Sequence, residues 1–143
     1  MTALVVDASV AFKWVVEEIH SEAALNLIAA GHPLAAPELL LAEVGSALGR
    51  RVGRRLISAN EAKLAIEAVE RTTVEWQPIR PLVFESLRLA NTLEQSIYDC
   101  VYLALAERRA SQVVTADRKF YEAIQRSMFA SFIVWIEDAA RLA

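Results

Sequence analysis

Ala3-Leu4-Val5-Val6-Asp7-Ala8-Ser9 opens the chain, and Gln112-Val113-Val114-Thr115-Ala116-Asp117-Arg118 nearly repeats its pattern a hundred residues later. In each, a short β-branched run stops at an aspartate, and a helical pattern follows. Runs of this length with no polar alternation read as strands buried on both faces, as in a parallel sheet. Outward from residues 3–6, Ser9 to Val16 and Ser21 to Ala30 carry helical patterns. Gly31-His32-Pro33 is a turn, and Leu34-Ala35-Ala36 is a strand candidate stopped by Pro37. Glu38 to about Val52 favours helix, as do residues 59–71 after the N-cap candidate Ser58. Thr72 to Trp76 reads as a strand. Pro78 and Pro81 open a helix over roughly 81–93, and Ser96 can cap another from Ile97 to Arg109. Gln112 to Thr115 is a strand, a helix runs on through Arg126, and Ser131 to Trp135 is a last strand candidate. Strands alternating with helices predict an α/β fold of three layers, with a mainly parallel central sheet flanked by helices.

The length of 143 residues suits one domain, taken as residues 1–143, with no repeat and no linker. At 55% hydrophobic and 23% charged the chain is not disordered. The net charge of −3 argues against nucleic-acid binding by bulk positive charge alone. One cysteine, Cys100, excludes an intramolecular disulfide and a multi-cysteine zinc site. With only His20 and His32, a histidine-rich metal centre is disfavoured, so any metal should be hard and held by carboxylates. No signal peptide is legible, and the longest uncharged apolar run, Cys100 to Ala106, falls far short of the ~20 residues that cross a bilayer. A cytoplasmic location without membrane contact is expected.

The acids fall in unusual places. The chain has four aspartates, and three of them, Asp7, Asp99 and Asp117, stand at element junctions or inside apolar elements. Asp7 and Asp117 follow strands, so both belong to the carboxyl edge of the sheet, where open α/β sheets place their sites. Asp99 lies one turn into Ile97-Tyr98-Asp99-Cys100-Val101-Tyr102-Leu103-Ala104-Leu105-Ala106, a helix apolar almost all round and therefore buried. Glu43 lies inside Leu39-Leu40-Leu41-Ala42-Glu43-Val44. Buried carboxylates need a partner, a proton or a cation. Each also has an ordinary reading: Asp7 and Asp117 as N-caps, Ser9 and Thr115 as caps or turn formers, Asp99 as first-turn charge, Glu43 on a solvated stripe. Glu38 is an ordinary first-turn acid. Converging carboxylates repel, and oxygen-only ligands suit Mg²⁺ or Mn²⁺. Without these four acids the remaining formal charge is +1, so the site itself supplies the negative balance.

Val5-Val6-Asp7-Ala8-Ser9, Ala36-Pro37-Glu38-Leu39-Leu40-Leu41-Ala42-Glu43-Val44, Tyr98-Asp99-Cys100-Val101-Tyr102-Leu103-Ala104-Leu105-Ala106 and Val114-Thr115-Ala116-Asp117-Arg118 together resemble the blocks of a PIN domain. The particular group resembled is the VapC-type ribonuclease toxins of toxin–antitoxin pairs. The resemblance spans nearly the whole chain, in order. It implies that Asp7, Glu43, Asp99 and Asp117 take the family's four acidic positions, with Thr115 as the hydroxyl beside the last. Cys100, where a small residue such as Ala is usual, departs mildly from the pattern. The implied activity is endoribonuclease hydrolysis of RNA phosphodiester bonds with Mg²⁺ or Mn²⁺, held chiefly by Asp7 and Asp99 with Asp117. Glu43 would position water or a second ion. The implied partners are an RNA substrate, a cognate antitoxin and a second copy in a homodimer.

Other features carry two readings. Arg50-Arg51 and Arg54-Arg55 follow the Glu43 helix, either as cations complementing the helix dipole or as phosphate contacts, with Arg50 and Arg54 placing RNA and Ser9 and Thr115 assisting. Gly45, Gly49 and Gly53 do not match a phosphate-binding loop, so close packing of that helix on a neighbour is expected. Phe12, Trp14 and Val15 give the first helix more apolar bulk than one buried face needs. Core packing is the default, and an exposed part would form a groove for a partner peptide, as in the family's antitoxin binding. His20 and Cys100 read as structural. The alternatives are a catalytically silent PIN-like RNA- or protein-binding module and a phosphotransfer or receiver domain. The first gives no reason to keep carboxylates in apolar helices. The second lacks the Asp-x-Asp, the paired acids after the first strand and the late lysine.

Overall fold

The computed structural model describes residues 2–139 and 141. Five strands, β1 (Leu4–Val6), β2 (Leu34–Pro37), β3 (Val74–Gln77), β4 (Val113–Thr115) and β5 (Ile133–Trp135), form one sheet in the order β3-β2-β1-β4-β5. Every neighbouring pair is parallel, so the expected mainly parallel sheet is parallel throughout. The helices are α1 (Ala8–Val15), α2 (Ser21–Ala29), α3 (Leu39–Gly53), α4 (Ala59–Glu70), α5 (Val83–Leu93), α6 (Ile97–Arg108), α7 (Arg118–Gln125) and α8 (Ile136–Ala139).

Strand order turns back between β1 and β4. With right-handed crossovers, the helices linking β1 to β2 and β2 to β3 lie on one face, and those linking β3 to β4 and β4 to β5 lie on the other. The packing agrees, since α1 lies against α2, α3 and α4, while α6 pairs with α5 and spans β1, β2 and β4. Val5, Val6, Val113 and Val114 at the centre are wholly buried, as strands covered on both faces must be. Cys100 to Ala106 in α6 are all buried too, which explains a helix with no polar face.

Boundaries depart from the sequence reading for local reasons. Pro37 does not stop β2 but ends it, paired with Gln77. The carbonyl of Pro33 accepts from Leu4, so alternate residues of β2 face β1, and Pro37 is one of them. An N–H there would have bonded the Val6 carbonyl, so the β1–β2 register stops at Val5 and Ala35 while Pro37 stays paired with β3 on its other side. Thr72 and Thr73 are not strand, because the Thr72 hydroxyl donates to the Val69 carbonyl at 2.6 Å and closes the end of α4. Ser131 and Phe132 belong to a 3₁₀ turn ahead of β5, and Pro81 to another, Arg80–Leu82, ahead of α5. Helix α8 has no counterpart in the sequence reading.

The glycine reading needs a larger correction. A Cβ added at Gly45, Gly49 or Gly53 meets nothing within 4 Å, so these positions face open space and not a packed neighbour within the chain. Two substitutions should therefore move stability in opposite directions. Leu103→Ala removes a wholly buried side chain of α6 and should lower the unfolding free energy by about 3 kcal/mol. Gly49→Ala should raise it by roughly 0.5–1 kcal/mol through helix propensity alone. Urea unfolding followed by circular dichroism reads both, and a destabilising Gly49→Ala would mean that α3 packs on something there.

Candidate active site

β1 ends at Val6, and Asp7 takes an extended conformation that lets α1 begin at Ala8. Its Oδ1 accepts from the Val10 backbone N–H at 3.2 Å, the N-cap bond the ordinary reading requires. The same oxygen accepts from Ser9 Oγ at 2.5 Å, and Oδ2 accepts from Thr115 Oγ1 at 2.5 Å. Thr115 is the last residue of β4, the neighbour of β1 at the reversal of strand order. Its hydroxyl also accepts from the Asp117 N–H at 3.1 Å, and Ser9 Oγ accepts from the Ala116 N–H at 2.9 Å. Asp117 in turn caps α7 by accepting from Phe120 N–H at 3.2 Å. The two strand-end aspartates are thus N-caps and also neighbours in one hydrogen-bonded unit. Ser9 and Thr115 are the links between them.

Asp99 and Glu43 reach the same place from opposite faces of the sheet. Asp99 stands in the first turn of α6, behind the N-cap Ser96, and is partly buried. Glu43 lies one turn into α3, where Tyr102 of α6 donates to its Oε1 at 2.5 Å. Tyr102 is only 1% exposed. Burial above all, and then the Glu43 carboxylate, push its hydroxyl far above the ordinary range, so it stays protonated and donating.

Asp7, Glu43, Asp99, Tyr102 and Asp117 line one pocket of about 450 Å³. Asp99 is pushed up to about 7, first by burial and then by the charges of Asp7, Asp117 and Glu43. Asp7 is raised to about 6 by burial, against the opposing pull of the Ser9, Thr115 and Val10 donors, with a lesser push from Asp117. Among the described residues, no three His, Cys, Asp or Glu side chains are disposed to hold a metal ion directly. Asp7 already gives both oxygens to hydroxyl and amide donors. The donor set nevertheless fits a hard cation. Mg²⁺ takes only one or two carboxylates directly and keeps several waters, and a cation would relieve the repulsion that raises Asp99.

Arg50 lines the same pocket, with Nη1 donating to Ser46 Oγ at 3.0 Å. Arg54 does not: it is exposed at the C-cap of α3, outside the pocket wall. Residues the sequence reading passed over also belong to the wall. Tyr102 could have been found from its spacing, since three residues after Asp99 puts it on the same helix face. Lys13 and Glu18 line the pocket and pair at 2.8 Å. Lys13 carried the same signal as the acids, a lone charge among Phe12, Trp14 and Val15. His20 caps α2 in the left-handed region at φ 70°, and its ring meets Trp135 edge-on.

The PIN domain family matches residues 4–124, and the chain belongs to that family. PAE2754 from Pyrobaculum aerophilum is similar in structure, with a TM-score of 0.74 at 23% identity, over 99% of this chain and 88% of that one. Mycobacterium tuberculosis VapC20, a sarcin-ricin loop cleaving toxin, is similar with a TM-score of 0.66 at 21% identity, over 85% of this chain and 95% of that one. No curated protein matches the sequence. Among the described residues no helix is long and apolar enough to cross a membrane.

The raised acids have a consequence for stability. Asp7 and Asp99 hold protons up to about 6 and 7 in the folded chain, against 3.8 for an ordinary aspartate. Between those limits the folded state binds more protons than the unfolded one, so its stability falls as pH rises through the window. The melting temperature without divalent metal should therefore drop between pH 5 and pH 8. Asp99→Asn should flatten the drop, and millimolar Mn²⁺ at pH 8 should recover it in the wild type. Differential scanning calorimetry across that range checks the sign.

Proposed function

We propose that the chain is a metal-dependent endoribonuclease that hydrolyses RNA phosphodiester bonds. In this reading it is the toxin of a toxin–antitoxin pair and acts in the cytoplasm as a single domain. The observation that carries the proposal is the meeting of Asp7, Glu43, Asp99 and Asp117 in one pocket, with Asp99 held up to about 7 by burial and by the other three. Such a site attracts a divalent cation before it does anything else. Mg²⁺ or Mn²⁺ would be held among Asp7, Asp99 and Asp117, one or two of them directly and the rest through water, and when bound would stabilise charge on the phosphoryl oxygens and make water more acidic.

The chain's own residues do the rest. Ser9 and Thr115 hold the Asp7 carboxylate in one orientation through two hydrogen bonds. Tyr102 holds Glu43 toward the pocket, where its free oxygen can orient water for in-line attack. Asp117 is fixed as the cap of α7, so its position follows that of β4. Arg50, which lines the pocket, would meet backbone phosphate. No lysine or histidine base is needed.

An antitoxin partner is supported by two clefts that share Val15 and Val16 at the end of α1. One is completed by Trp14 and the half-exposed Leu25, the other by Leu48, Ile57 and the half-exposed Leu64. An amphipathic peptide from an antitoxin would cover both. A homodimer would likewise use apolar surface the single chain leaves open, such as Phe84, which is 91% exposed.

The test is cleavage of a mixed RNA pool by antitoxin-free protein with Mg²⁺, with Mn²⁺ and with EDTA. Cleavage should require metal and should fall by about 100-fold or more in Asp99→Asn, a near-isosteric loss of one ligand charge. Cleavage that persists both in EDTA and in Asp99→Asn would refute the proposal. Metal binding without cleavage of any RNA would favour the silent binding module.

A further inference from the structure

Among the described residues, Lys13 is the only lysine or arginine that is buried, at 7% exposed, and it lies in the wall of the acidic pocket. An ammonium carries three N–H donors. In this structure it uses one, on Glu18 Oε1 at 2.8 Å. Glu18 is shared, because its Oε2 accepts from Arg51 Nη2 at 3.3 Å. The Arg51 guanidinium lies over the Phe12 ring at 5.4 Å, which fixes it from the other side. Lys13, Glu18 and Arg51 therefore form a held triad of net charge +1 whose central ammonium has donors to spare.

This cation is not there to neutralise the acids. Burial, the other carboxylates and, for Asp7, the Ser9, Thr115 and Val10 donors set the environment of the two aspartates, and among the described residues no lysine or arginine forms an ion pair with either. Lys13 follows Asp7 by six residues along α1, roughly 9 Å at about 1.5 Å per residue. The pocket thus has an acidic end at the sheet edge and a cationic end further along α1. A chain of regularly spaced phosphates is the ligand that uses both ends at once. One phosphate would face the acids, and the next would face the ammonium.

We propose that Lys13 is a positioning residue that grips the RNA phosphate adjacent to the one cleaved, with Glu18 and Arg51 holding its ammonium in place. The proposal rests on the ribonuclease reading above. A merely structural Lys13 would only tie the end of α1 to the turn at residues 16–20, and its loss would then be felt in stability alone.

The experiment is fluorescence anisotropy of a labelled random-sequence single-stranded RNA, at salt from 50 to 300 mM, with Mg²⁺ present. Asp99→Asn protein is used so that the RNA is not consumed. Adding Lys13→Gln should weaken binding by roughly tenfold. It should also reduce the slope of log affinity against log salt by about 0.7, the loss of one phosphate contact on a single strand. Lys13→Arg should keep both affinity and slope. In cleaving protein, Lys13→Gln should raise KM more than it lowers kcat.

Affinity and slope unchanged in Lys13→Gln, with only a lower melting temperature, would overturn the assignment and leave the ribonuclease reading standing. Lys13→Arg as weak as Lys13→Gln would also overturn it, since packing and not charge would then be at stake. Failure of the Asp99→Asn protein to bind RNA at any salt would overturn the assignment together with the reading it rests on.

Discussion

The hydrogen bond from Thr115 to Asp7 joins the ends of β1 and β4, and the rest of the site is arranged around it. It crosses the point where strand order reverses, which in an open parallel sheet leaves a crevice between diverging helices. A carboxylate 6% exposed would be costly there on its own. Two hydroxyls and one backbone N–H stabilise it, and those donors come from α1 and from β4. The same contacts set the start of α1, the exit from β4 and the position of Asp117. One buried side chain therefore specifies local backbone, strand pairing and pocket geometry together.

The electrostatics follow from that placement. Asp7 has its donors, but Asp99 stands in the first turn of a buried helix and faces three other carboxylates. Among the described residues no lysine or arginine pairs with Asp99, so the repulsion stays in the pocket. Tyr102 stabilises only Glu43, as a donor kept protonated by its own burial. The cationic side chains of the wall are Lys13 and Arg50, and Lys13 lies further along α1, paired with Glu18, which Arg51 also meets. Separation of charge along one pocket is what distinguishes this arrangement from a simple acidic patch. It follows from α1 carrying an acid at its start and a lysine six residues on.

Much of the fold was legible because β-branched runs, N-caps and turn residues act locally. Leu4 to Val6, Val113 to Thr115 and the N-cap Ser58 are all local signals. Errors arose where a non-local fact decided the outcome. Pro37 is held in β2 by pairing with Gln77 of β3, while the β1–β2 register stops at Val5 and Ala35. Gly45, Gly49 and Gly53 suggested close packing by spacing, yet nothing in the chain lies opposite them. Arg50 and Arg54 look equivalent in sequence, but the helix ends between them and only Arg50 reaches the pocket wall.

By itself, the sequence determined where most of the strands and helices form and marked the acids that do not belong in apolar surroundings. Both are properties of a residue and its near neighbours, and so they survive without knowledge of the fold. The tertiary structure alone decided who meets whom. Tyr102 reaches Glu43 across 59 positions of chain, Thr115 reaches Asp7 across 108, and Arg51 reaches Glu18 across 33. Those contacts depend on strand order and on how α1, α3 and α6 pack against the sheet. A hydrogen bond needs its partners within about 3 Å, a condition set by packing and not by sequence pattern.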